Sequence, residues 1–209
     1  MWRAYGTMGR TKDVPGDASP ARKQKLLERW GRVDVCGTVQ RYERMKHTKS
    51  GKSKNYPSIG PVVFDFDSHG ERQAGLGDVV ENAILLRNWL DTDCGLKHGA
   101  YRYWLTGGYG IHAELHPATC NINEPVPDFM PKCKRIASGI IGKLGIEADQ
   151  AIYTERRMWR LPGARHGKTS LYKVEIDPWD LEDFVIPDSY EKTCEQFQTA
   201  PPFTWSTAV

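Results

Sequence analysis

The sequence predicts an α+β fold, a sheet with helices laid over one face. Segments whose apolar residues recur at helical spacing interleave with runs of β-branched and aromatic residues. Glycine and proline punctuate the junctions between them. A chain of 209 residues with 39% hydrophobic content can bury a substantial core. No apolar run approaches the roughly 20 residues that a bilayer-crossing helix needs.

Ser19 as cap and Pro20 at the first turn open a predicted helix over Ala21–Trp30. Val33–Val39 alternates as a strand, and Pro61–Phe66 reads as a second, half-buried one. Asp78 caps a helix with apolar Val79, Val80, Ala83, Ile84, Leu86 and Leu90, ending near Cys94-Gly95. Tyr101–Leu105 and Ile111–Leu115 are strands joined by the glycine-bearing turn Thr106–Gly110. A helix over Lys132–Leu144 closes at Gly145. Met158–Leu161 and Leu171–Ile176 are strands, Pro178–Phe184 a short helix, and the polar chain beyond Pro187 a peripheral tail.

Mean hydropathy of −0.58 indicates a soluble globular protein. A net charge of +3 and a pI near 8.5 are too mild to argue for nucleic acid unaided. Five scattered cysteines with no Cys-x-x-Cys pair read as reduced thiols, and Met1–Tyr5 lacks the apolar core of a secretory signal. A cytoplasmic protein with no membrane partner is expected.

The chemistry starts at Phe64-Asp65-Phe66-Asp67. Side chains at i and i+2 share a strand face, so Asp65 and Asp67 lie side by side. Carboxylates that close repel unless a cation neutralises them, and oxygen-only ligands suit Mg²⁺ or Mn²⁺. The plainer reading is exposed strand-end aspartates. Upstream, Arg41 to Lys54 carries six Lys/Arg against one acid. Only its second half, marked by Ser50, Gly51, Ser53, Asn55 and Pro57, reads as loop, which either follows a phosphate backbone or is a solvated surface.

Two further constellations point to phosphate. Thr106-Gly107-Gly108-Tyr109-Gly110-Ile111-His112 combines a hydroxyl, amides that can approach a ligand, and an imidazole. An ordinary hairpin with a satisfied histidine reads the same way. Arg157-Met158-Trp159-Arg160-Leu161-Pro162-Gly163-Ala164-Arg165-His166-Gly167-Lys168-Thr169 alternates cationic and apolar residues and ends in a cationic loop. A basic strand edge that discourages aggregation is the alternative.

Together, Asp65-x-Asp67, the Thr106–His112 turn, Asp149 and the Arg157–Thr169 segment resemble the archaeo-eukaryotic primase superfamily, above all small catalytic primase subunits and primase-polymerases. The likeness spans about residues 61 to 175, and the Arg157–Thr169 segment is its most specific part. It implies an RRM-like catalytic sheet with flanking helices and a smaller N-terminal α/β module. One catalytic domain over 1–186 is expected, with the module at about 19–60, the core at about 61–186, and 187–209 as tail.

The resemblance implies a template-dependent nucleotidyltransferase that makes primers or extends chains on single-stranded DNA. Asp65, Asp67 and Asp149 would hold two divalent ions, Mg or Mn. Thr106, Gly107, His112, Arg160, Arg165, His166 and Lys168 would bind the NTP or dNTP. Arg44, Lys46, Lys49, Lys52 and Lys54 would contact the template. A prokaryotic, plasmid or viral replication setting follows, with a helicase or accessory primase domain as a further partner.

Departures from the family pattern are visible. Gly108 and Tyr109 stand where some relatives are basic, Ala164 replaces a serine and Arg165 a leucine, and Glu147 and Glu155 compete with Asp149. Cys94, His98, His116, Cys120 and Cys133 lack paired spacing, so zinc is not expected. A replication-initiation accessory domain without turnover and a metal-dependent phosphodiesterase are the rival functions.

Overall fold

The computed structural model describes residues 2–7, 10–15, 25, 28, 34, 36–38, 41–42, 57–67, 75–97, 99–154 and 157–196. The basic loop with Arg44, Lys46, Lys49, Lys52 and Lys54 lies outside the described residues, as do His98 and Glu155. Of the helix expected over 21–30, Lys25 and Glu28 are described, both helical.

Strands β1 (Trp2–Thr7), β2 (Arg10–Pro15), β3 (Cys36–Thr38), β4 (Arg41–Tyr42), β5 (Ser58–Ile59) and β9 (Met158–Arg160) form one sheet. Its order is β5-β4-β1-β3-β9, with β2 hairpinned onto β1. This sheet begins ahead of residue 19 and is completed by a strand from the third motif. β9 pairs antiparallel with β3, setting Arg160 opposite Cys36 and Trp159 opposite Gly37.

The second sheet is antiparallel and four-stranded, in the order β10 (Val174–Ile176), β7 (Tyr101–Leu105), β8 (Ile111–Leu115) and β6 (Val62–Phe66). Its residues alternate strictly. Val62, Phe64 and Phe66 share one face with Leu115, Ala113 and Ile111, and with Tyr101, Tyr103 and Leu105. All of these are buried. Helices α1 (Leu76–Asn88) and α2 (Phe129–Leu144) pack there, bringing Leu76, Val80, Ala83 and Leu86, and Phe129, Cys133 and Ala137, into the core. Burying a side chain the size of Phe64 contributes about 1.5–3 kcal/mol. The opposite face carries Asp65, His112, Glu114, Trp104 and Arg102, and Trp159 of the first sheet lies against it.

Helix α2 starts one turn before the sequence suggests, because Pro131 sits in the first turn, where a missing N–H costs nothing. Helix α1 runs on into a π-turn, Trp89–Asp93, before Gly95. A 3₁₀ helix covers Pro178–Val185, followed by α3 (Pro187–Glu195). The chain beyond Pro187, expected as a peripheral tail, thus opens with a helix whose Tyr190 and Cys194 are fully buried. No described helix is long and apolar enough to cross a membrane.

Candidate active site

Strand alternation and sheet register build the centre of the site. Asp65 on β6 faces His112 on β8 as a direct cross-strand pair, with His112 Nε2 3.1 Å from Asp65 Oδ1. Arg157 Nη2 lies 4.0 Å from Asp65 Oδ2. Burial pushes the Asp65 carboxyl up, but the His112 N–H, Arg157 and Lys173 outweigh it and hold the group below its usual range. Burial and then the Lys173 ammonium push His112 down to about 4 against the pull of Asp65, so the imidazole is neutral.

Asp67 follows directly after β6 and is exposed. Asp149 arrives from the far side of α2, and its main-chain N–H donates to Asp65 O at 2.8 Å. Its Oδ1 accepts from Ala151 N at 2.7 Å, forming an Asx-type turn. Glu147, a rival for the third position, donates its main-chain N–H to Asn82 Oδ1 at 2.8 Å. A cleft of about 440 Å³ has Asp67, Glu147 and Asp149 in its wall beside Asp78, Val79 and Asn82 of α1 and Ile141 of α2, and Asp65 and His112 are not among its lining. The donors are hard oxygens of the type Mg²⁺ and Mn²⁺ accept. Among the described residues no three His, Cys, Asp or Glu side chains converge as a finished ligand set.

The glycine turn is built from within. Thr106 Oγ1 accepts from Gly108 N at 3.1 Å and Gly110 N at 3.2 Å. Gly107 N donates to the Tyr190 hydroxyl at 3.1 Å, which donates to Gly110 O at 2.9 Å. The open amide nest read from the sequence is therefore largely filled by Thr106 and Tyr190. Glycine is required by closeness at Gly107, whose φ is +74° and where a Cβ would lie 2.6 Å from Leu171 O, and at Gly110, where one would lie 2.9 Å from Phe66 O, while a Cβ on Gly108 would lie 3.0 Å from His166 Nε2. The turn thus seats His166 beside the end of β6.

The third segment closes the site. Arg160 Nε and Nη2 donate to Asp34 Oδ1 at 3.2 and 3.0 Å, and Nη1 donates to Thr106 O at 2.9 Å. Gly167 N donates to the same Asp34 oxygen at 3.1 Å. His166 Nδ1 accepts from Lys168 N at 3.2 Å and Thr169 N at 3.3 Å. Arg165 turns to Tyr172, donating to its hydroxyl at 2.7 Å with its guanidinium 4.8 Å from the ring centre. Lys168 is exposed on the loop. Asp65, Asp149, Thr106, Gly107, His112, Arg160 and His166 are thus linked into one neighbourhood, with Asp67 at its edge, whereas Arg165 leans on Tyr172.

Sequence reasoning missed Asp34, Lys173 and Tyr190. Lys173 is 2% exposed, with Nζ 3.1 Å from His112 Nδ1. Burial pushes its ammonium down to about 8, against Glu114 and Asp65. A lone cation within Leu171-Tyr172-Lys173-Val174 was the available signal. Asp34 and Tyr190 give none.

No protein-family model matches the chain, and no curated protein matches it in sequence. Among solved structures, the polymerase domain of Mycobacterium tuberculosis Ligase D, in complex with DNA, is similar over 92% of this chain and 70% of its own, at 18% identity and a TM-score of 0.54. The AEP domain of the cyanophage S-2L primase-polymerase covers 88% of each chain at 15% identity and a TM-score of 0.45, too distant to bear on the fold. The first likeness shows a shared fold.

Proposed function

We propose that this chain is a template-dependent nucleotidyltransferase of the primase-polymerase kind, adding NTPs or dNTPs to a chain on single-stranded DNA. One observation carries the reading. Asp65 and Asp149, 84 positions apart by their numbers, are joined by a main-chain hydrogen bond beside His112. The fold shared with a polymerase domain supports it.

Asp65, Asp67 and Asp149 would hold Mg²⁺ or Mn²⁺, which when bound supplies positive charge to the phosphates and to the attacking oxygen. The chain's own groups supply the rest. A guanidinium has five N–H donors. Asp34 and Thr106 O take three of those on Arg160, which leaves two for a phosphate. His112 stays neutral through the physiological range and donates at Nε2. His166 sits at Gly108, across the turn. Lys168, exposed on the loop, serves the outer phosphates, while Arg165 is held on Tyr172, and Arg44 to Lys54 follows the template. The catalytic sheet then corresponds to the RRM-like sheet of primases, and helicase or accessory primase domains are its natural partners.

The test is primer synthesis and primer extension on single-stranded DNA with labelled NTPs or dNTPs, with Mg²⁺ or Mn²⁺. Incorporation that vanishes in Asp65→Ala and Asp67→Ala, with the fold intact, is expected. DNA binding without incorporation would identify an accessory domain, and metal-dependent cleavage of a labelled diester would identify a phosphodiesterase.

A further inference from the structure

Lys173 sits at the heart of the site without touching the carboxylates assigned to metal. Its Nζ is 3.1 Å from His112 Nδ1, and the rings of Trp104 and Trp159 lie 5.2 and 5.0 Å from it. The charged and titratable groups acting on it are Glu114, Arg160, Asp65 and Cys36. Glu114 and the two aromatic faces favour the ammonium, and Arg160 opposes it.

An ammonium has three N–H groups and no lone pair, so here it can only donate. His112 Nδ1 must then accept, and the single imidazole proton sits on Nε2. That atom is 3.1 Å from Asp65 Oδ1, where an N–H is needed. The opposite polarity would set a bare nitrogen lone pair against a carboxylate. Both contacts therefore select one tautomer. Trp159, its ring centre 3.7 Å from that of His112, restrains the imidazole from turning over.

We propose that Lys173 is a positioning residue that fixes His112 as the Nε2–H tautomer, so that the one imidazole N–H is held on Asp65 Oδ1 and keeps that carboxylate oriented in the site. The value of that orientation to catalysis rests on the nucleotidyltransferase reading, and the tautomer does not.

The test is ¹⁵N-histidine NMR on the full chain, beside binding of a non-hydrolysable nucleoside triphosphate. The wild type should show one His112 form, protonated at Nε2. Asp65 favours the same form, so the variants are read in an Asp65→Asn background, where the amide can either donate or accept: Asp65→Asn should keep the single form through Lys173, and Asp65→Asn with Lys173→Met should give mixed tautomers. Lys173→Arg, still donor-only, should restore the single form. An Nδ1–H pattern in the wild type overturns the proposal without any variant, which covers the case of a Met variant that does not fold. An Asp65→Asn, Lys173→Met protein with normal melting and a single Nε2–H pattern also overturns it. An Nε2–H pattern without triphosphate binding leaves the tautomer assignment standing and sinks the nucleotidyltransferase reading.

Discussion

Removing one oxygen atom tests whether the last helix braces the phosphate turn. Tyr190 is fully buried, and its hydroxyl bridges Gly107 N at 3.1 Å and Gly110 O at 2.9 Å. Tyr190→Phe keeps the ring and its stack on Tyr109, with centres 5.3 Å apart at 25°. Gly110 O keeps a second donor, Thr106 N at 3.0 Å. Gly107 N–H is left with the Cys194 sulfur, a weak acceptor, in a closed interior. A buried donor so poorly satisfied costs about 1–3 kcal/mol, and the weakened carbonyl adds little. A loss of about 2 kcal/mol is expected in urea unfolding, as a lower midpoint at unchanged slope. Nucleotide binding should weaken with it, since the turn seats His166. A loss below about 0.5 kcal/mol would show that these bonds do not form in solution and that α3 does not brace the turn.

Asp34→Ala removes the acceptor shared by Arg160 and Gly167, and nucleotide affinity should fall about tenfold by calorimetry, with a smaller loss of melting temperature because Asp34 is partly exposed. Gly110→Ala puts a Cβ 2.9 Å from the main-chain oxygen of Phe66, which cannot swing away, so stability should drop by about 1–3 kcal/mol in chemical denaturation. Unfolded His112 takes a proton near its ordinary 6.5, but folded His112 only near 4. The unfolded state thus binds more protons between those values, and stability falls as pH drops through that window, by up to about 3 kcal/mol. His112→Gln should flatten this acid limb, and an unchanged limb would exclude His112 as its source.

Much of the site was legible because strand alternation is local. The period of two put Asp65 on one face and Phe64 and Phe66 on the other, and the Thr106–Gly110 turn was visible as a turn. What brings Asp65 opposite His112 is not local: it needs the order β7-β8-β6, in which β6 pairs with the later of two hairpin strands. The hairpin of Trp2–Thr7 and Arg10–Pro15 went unread because neither segment alternates cleanly. Helix α3 went unread because only Tyr190 and Cys194 face the core from a polar nine-residue segment. Lys173 was hidden in an apolar run, where its partner lies 61 positions away. Template contact by the Arg44–Lys54 loop stays a proposal from charge alone.

The two-sided sheet also ties catalytic failure to folding failure. Shifting β6 by one position would drive Asp65 into the helices' oil and set Phe64 and Phe66 among the polar groups of the reactive face. Copies with a mis-set centre would therefore unravel rather than persist as intact but inert decoys. Side chains on the reactive side, by contrast, can be exchanged without disturbing what glues the helices on. New substrate preferences can evolve on one surface while the other keeps the molecule whole.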